Sequence, residues 1–140
     1  MAVVEEILRA EEGGAISFGN HKLVHKAKLE DVEHFGDVLK VKTYQTMTKL
    51  EKNGMFVYES VPGTSVTNFL ETEDGISFQV EGDEDAQLIV GLQDETEYEV
   101  FINGESIGRM RTSLGGKLNL SVELAEAGEV SVKVVKTATP

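Results

Sequence analysis

The strict alternation of apolar and polar residues between Thr96 and Lys136 constrains this chain more than any other feature. Tyr98, Val100 and Ile102 alternate with Glu97, Glu99 and Phe101. Asn103-Gly104 follows, and both central residues of a type I′ hairpin turn need φ > 0, which this pair supplies. A second strand runs through Ile107 and Met110, and Gly115-Gly116 turns the chain again. Leu118, Leu120, Val122 and Leu124 then alternate with Asn119, Ser121 and Glu123. After Gly128, Val130, Val132 and Val134 alternate with Ser131 and Lys133. A period of two places each apolar set on one face of a sheet and each polar set on the other.

The rest of the chain continues the pattern. Val3 to Ala10 fits either a short amphipathic helix or an edge strand; the β-branched pair that opens it and the Gly13-Gly14 break favour a strand, with Ala15 to Phe18 as its hairpin partner. Asn20 to Lys26 reads as loop, Lys28–Phe35 and Val38–Thr46 as strands about a turn at Gly36-Asp37, and Thr46–Leu50 and Met55–Ser60 as a hairpin about Asn53-Gly54. Val61-Pro62-Gly63 is a turn by composition. Strands then recur at Val66–Leu70, Ile76–Glu81 and Gln87–Leu92. With the four above, that gives seven strands in about 75 residues, the spacing of an immunoglobulin-like β-sandwich. The expected fold is therefore an all-β, antiparallel, hairpin-rich sandwich whose C-terminal half is immunoglobulin-like. Residues 1–62 form an N-terminal hairpin region and 63–140 the sandwich, with one continuous sandwich as the rival. The first 60 residues hold few large apolar groups, so they are expected to pack on the second half or on another copy.

The composition excludes several functions. The chain has no cysteine, which removes disulfides, zinc–thiolate sites and thiol chemistry and suits a cytoplasmic home. Acidic residues follow Met1 where a secretory signal is basic, and no apolar run is long enough to span a membrane. A net charge of −12 repels phosphate backbones and anionic lipid, so neither nucleic acid nor membrane is an expected partner.

Few residues suggest chemistry. His21 and His25, with His34 further on, sit in an expected loop without a third ligand and read as solvated surface. Carboxylates cluster at 71–74, 81–85 and 94–97. Loops alternate between the two ends of an antiparallel sandwich, so 71–75 and 93–97 share an end and 82–86 lies at the other. Glu71, Glu73, Asp74, Asp94 and Glu95 are thus the candidate ligands for a calcium ion, which takes hard oxygen donors. The serines fall mostly on outward strand positions or turns, with no G-x-S-x-G elbow, and no glycine loop ends in Lys-Ser or Lys-Thr. No catalytic residue and no cofactor is expected. Arg109 and Arg111 share one face of a strand, which could bind an anion but would more simply balance nearby acids. Sugar binding would rest on Tyr44, Tyr58 or Phe101 exposed on a shared face.

Gly19-Asn20-His21-Lys22-Leu23, the run from Lys49 through Asn53-Gly54-Met55-Phe56-Val57-Tyr58 to Thr64, Tyr98-Glu99-Val100-Phe101 and Gly116 to Leu124 resemble a group of short bacterial proteins of about this length that are often labelled endosialidase. The C-terminal half is also similar in pattern to immunoglobulin-like tail modules of polysaccharide-processing enzymes. The first resemblance implies a hydrolase of sialic-acid polymers, and the second a carbohydrate-binding module. Neither carries a catalytic residue to this chain: sialidases grip a carboxylate with three arginines and carry aspartate boxes ending in Trp. Here the only arginines are Arg9, Arg109 and Arg111, and Trp is absent. The expectation is a non-enzymatic protein that acts by self-association or by binding another protein, ahead of a carbohydrate-binding module and, more distantly, a sialidase-type hydrolase.

Overall fold

The computed structural model describes residues 3–137. Thirteen strands make up nearly all of its regular structure: β1 (Leu8–Ala10), β2 (Ile16–Phe18), β3 (Ala27–His34), β4 (Asp37–Thr43), β5 (Thr48–Lys52), β6 (Met55–Val61), β7 (Ser65–Thr72), β8 (Gly75–Glu81), β9 (Ala86–Gly91), β10 (Glu97–Ile102), β11 (Glu105–Arg111), β12 (Lys117–Val122) and β13 (Val130–Lys136). A single 3₁₀ turn at Glu12–Gly14 joins β1 to β2. The strands form two antiparallel sheets, ordered β1-β2-β7-β8-β13-β10-β11 and β12-β9-β6-β5-β4-β3, which pack face to face as a sandwich. The expected all-β antiparallel class is what the chain adopts.

The expected separation at Pro62 is not. β2 pairs with β7, setting Ile16 opposite Phe69 and Phe18 opposite Val66, while β6 pairs with β9. Both sheets therefore take strands from either side of Pro62. The reason is the one that made the first 60 residues look short of core. Ile16, Phe18, Leu39, Val41, Leu50, Val57 and Tyr58 are buried in the same cluster as the C-terminal apolar residues. Four aromatic rings cross the divide. Phe18 meets Phe69 edge-on at 5.6 Å, and Tyr58 meets Phe69 at 6.3 Å and Phe78 at 5.7 Å. Such pairs add about 0.5–1.5 kcal/mol each beyond the area they bury. Strands β7 to β13 divide five and two between the sheets, whereas an immunoglobulin-like pattern sets four against three.

Because all neighbours are antiparallel, each turn and loop falls at one of two ends. Turns 35–36, 53–54 and 73–74 and loops 92–96 and 112–116 share the upper end. Segments 19–26, 44–47, 62–64, 82–85, 103–104 and 123–129 share the lower. Asn53-Gly54 and Asn103-Gly104 hold positive φ at both positions, as their hairpins require. The β3–β4 turn falls at Phe35-Gly36 rather than Gly36-Asp37, which leaves Phe35 exposed at its tip. Val3 to Ala10 yields only the three-residue β1. The stretch before it turns instead, Ile7 N–H donating to the Val4 carbonyl and Val4 N–H to the Gly19 carbonyl, and Val4 is fully buried. Its apolar side chain caps the core from a turn.

Two glycines separate what the packing tolerates from what it does not. A Cβ at Gly75 would collide with the Val134 carbonyl on β13, the neighbouring strand, whereas one at Gly115 meets open space. We expect Gly75→Ala to lower the urea midpoint by the equivalent of about 1–3 kcal/mol with an unchanged slope, the usual cost of overpacking. Gly115→Ala should leave the midpoint unchanged within about 0.5 kcal/mol.

Candidate interaction site

At the lower end the chain leaves β6, crosses through 62–64 and enters β7, and buried hydroxyls surround this crossing. The Thr64 side chain meets the Tyr58 hydroxyl at 2.7 Å and the Ser60 hydroxyl at 2.8 Å. Thr48 Oγ1 donates to the Thr64 carbonyl at 2.7 Å, accepts the Thr64 N–H at 3.1 Å and meets Thr43 Oγ1 at 2.8 Å. Thr43 in turn accepts the Asn20 N–H. All of these side chains lie on inward strand positions or on the crossing itself, and no buried side-chain polar atom among the described residues lacks a partner. Burial pushes the Tyr58 phenol well above its ordinary range.

The same end brings together Ser65, His21 and Asp83. Ser65 Oγ lies 2.7 Å from His21 Nδ1, and His21 Nε2 lies 3.6 Å from Asp83 Oδ1, which also holds the Lys22 ammonium at 2.6 Å. Against the expectation of a solvated surface histidine, His21 is 3% exposed; against the expectation that the serines fall mostly outward or in turns, Ser17, Ser60 and Ser65 are fully buried. The loop folds inward because the Asn20 N–H reaches Thr43 and the His21 N–H reaches Ser65. In a nucleophilic triad the serine faces substrate and the acid is buried. Here the order is inverted: the serine is sealed and the aspartate is exposed. The series therefore anchors loop 19–26 and presents no nucleophile to solvent. Among the other histidines, His25 is exposed, and His34 reaches the Gly14 carbonyl at 3.2 Å and stacks on Phe35.

The acidic loops lie where alternation placed them, with 73–74 and 92–96 at the upper end and 82–85 at the lower. Yet Glu71, Glu73, Asp74, Asp94 and Glu95 do not converge, and among the described residues no three acidic or histidine side chains are grouped to hold a metal. Glu71 instead pairs with Lys52 at 2.7 Å, and Asp85 accepts the Leu124 and Ala125 N–H groups, tying down the last lower loop. Arg109 lies 3.8 Å from Glu97, the balancing role expected of it. Of the three candidate sugar platforms, Tyr58 is in the core. Tyr44 and Phe101 are half-buried on different sheets, Tyr44 just past β4 and Phe101 within β10.

What remains open is the pair of edge strands that end the two sheets on the same side. β11 is exposed at every position except Met110, and β12 alternates buried Leu118, Leu120 and Val122 with exposed Lys117, Asn119 and Ser121. Between them lies a groove of about 750 Å³, lined on its apolar walls by Ile102, Ile107, Val122 and Val130. Sequence reading found both strands but not their place in the order, because pairing between distant strands leaves no local signal. Among the described residues no helix is long and apolar enough to cross a membrane. No family model, no curated protein and no solved structure matches this chain.

Two measurements test the lower end. Thr64→Val would orphan two buried hydroxyls and should cost about 2 kcal/mol or more, whereas Tyr58→Phe should cost only about 0.5–1.5 kcal/mol, both read by urea unfolding. Burial, helped by Lys22 and opposed by Asp83 and Glu81, holds the His21 imidazole below its ordinary range. The unfolded chain then takes up that proton at a higher pH than the folded chain does. Stability is complete above the unfolded value of about 6.5 and is lost as pH falls towards the folded one. The Asp83 and Glu11 carboxyls, both held low by hydrogen bonds to their partners, lose their contributions only below about pH 4. The melting temperature should therefore fall between neutral pH and about pH 5, and His21→Gln should flatten that fall.

Proposed function

We propose that this protein works without catalysis, by association through the open edges of its sandwich, with another copy or another protein. The observation that carries this reading is the side formed by β11 and β12. There both sheets end in unpaired strands around an apolar groove, and β12 runs to its open edge without a bulge in its ladder. Unpaired strand edges are templates for further strands, and proteins that do not use them generally shorten, bulge, charge or cover them. The inverted order of Ser65, His21 and Asp83 supports the non-catalytic half of the reading. The separation of Tyr44, Tyr58 and Phe101 favours association over sugar binding, since no two rings form a platform on one face.

The test is light scattering on protein leaving a sizing column across a concentration series, together with native mass spectrometry of the protein recovered from its own cells. A defined multimer, or a stoichiometric complex with one partner, is the expected result. A bare monomer in both experiments would overturn the reading. Millimolar Ca²⁺ should leave the mass unchanged, because Glu71 is already paired and the other carboxylates stand apart.

A further inference from the structure

Resting on the association reading, we infer that the partner is a second copy of this chain, joined antiparallel along β12 about a twofold axis at Leu120. The four edges of the sandwich are not equivalent. β1 is three residues long. β3 carries a bulge, with Asp31 at φ 58, and a run of charged side chains. β11 is also bulged, for Ile107 is passed over between Ser106, opposite Phe101, and Gly108, opposite Val100. Short length, bulges and charge are the devices that block edge pairing. β12 has none of them: it pairs with β9 from Lys117 to Val122 without a shift, and its one charged residue is at its end.

The hydrogen-bond phase of β12 says which groups are free. The Leu92 N–H donates to the Gly116 carbonyl, and the Leu124 N–H points to Asp85 just before β9. Alternate residues Leu118, Leu120 and Val122 therefore bond to β9, while the main-chain groups of Lys117, Asn119 and Ser121 face the open edge. Those of Lys117 are met by Ser113, whose N–H donates to the Lys117 carbonyl and whose hydroxyl accepts the Lys117 N–H. Asn119 and Ser121 offer an N–H and a carbonyl each.

A second β12 centred on Leu120 satisfies this edge and matches every side chain. Asn119 lies opposite Ser121 of the other copy, and Ser121 opposite its Asn119, so each pair exchanges two main-chain bonds. Leu120 meets Leu120 and Leu118 meets Val122 on the inner face. Beyond these pairs Ser113 keeps the main-chain edge of Lys117, so no ladder bond forms there, and on the outer face the Lys117 and Glu123 side chains of the two copies come together at each end. Shifting the register by two sets Lys117 against Ser121 or Ala125 and strands both charges. Shifting it by one sets the leucine face against the polar face. In the single chain the Lys117 ammonium lies over β9, 4.8 Å from the centre of the Phe56 ring on β6, so pairing across the edge requires its exposed side chain to swing round; Glu123 is exposed. The groove beside Ser121, Val122 and Glu123 separates the lower half of this edge from the β10–β11 hairpin.

The test is a charge exchange, read by the dissociation constant from light scattering or sedimentation. Lys117→Glu and Glu123→Lys should each weaken the dimer on the order of tenfold, because each sets two like-charged pairs opposite one another. The double variant, with the charges exchanged, should restore wild-type affinity. Circular dichroism melts that match wild type would show that the fold is intact. Ser121→Pro removes an edge-facing N–H at a position where an edge strand tolerates proline, and should abolish the dimer. A wild-type dimer indifferent to all these changes would overturn the inference and leave the association reading standing. A monomer that is nonetheless recovered from its cells in a stoichiometric complex would do the same. A monomer with no partner would overturn both.

Discussion

The passage of the chain between the sheets at 62–64 depends on Thr64, and much else depends on that passage. A crossing strand end must bury main-chain groups that have no ladder to join, and leaving them unpaired is costly. Thr48 meets both the N–H and the carbonyl of Thr64, and the Thr64 hydroxyl collects Tyr58 and Ser60. This lets the chain turn inside the sandwich rather than over its surface. Tyr58 can then be a core residue with a satisfied hydroxyl, which places its ring between Phe18 and Phe78.

That crossing is the first of a stacked series. β6–β7, β8–β9 and β12–β13 each pass from the six-stranded to the seven-stranded sheet or back at the lower end. Their strands are neighbours in both sheets, as β12-β9-β6 and as β7-β8-β13. The chain is thus wound so that the N-terminal hairpins and the C-terminal strands share one core. Neither part has a complete apolar interior alone, which is why no boundary exists at Pro62 despite its turn chemistry.

The strands were legible because period-two alternation and Asn-Gly, Gly-Gly and Pro-Gly punctuation are local properties. The placement of acidic loops at opposite ends was legible for the same reason, since antiparallel alternation fixes it. Three things were not. The pairing of β2 with β7 joins Phe18 to Val66 across the four intervening strands β3 to β6, and nothing in either strand names the other. The burial of His21, Ser60 and Ser65 arises only when loop 19–26 is drawn in against the crossing, so residues that look polar and outward become interior. The openness of β11 and β12 is a property of sheet order, visible only once every other strand has found its neighbours.

The chain order of the seven-stranded sheet also sets how the molecule bears load. Its first strand, β1, lies at an edge and pairs along three residues, whereas its last, β13, is held between β8 and β10 along most of its length. Residue 4 is fastened at the lower end and residue 137 at the upper. Tension applied through the two ends therefore pulls along the strands, and must slide β13 past two neighbours at once while β1 resists with one short ladder. Under such a pull the sandwich gives way first at its N-terminal edge, where one three-residue ladder holds, and last at β13, which is held on both sides.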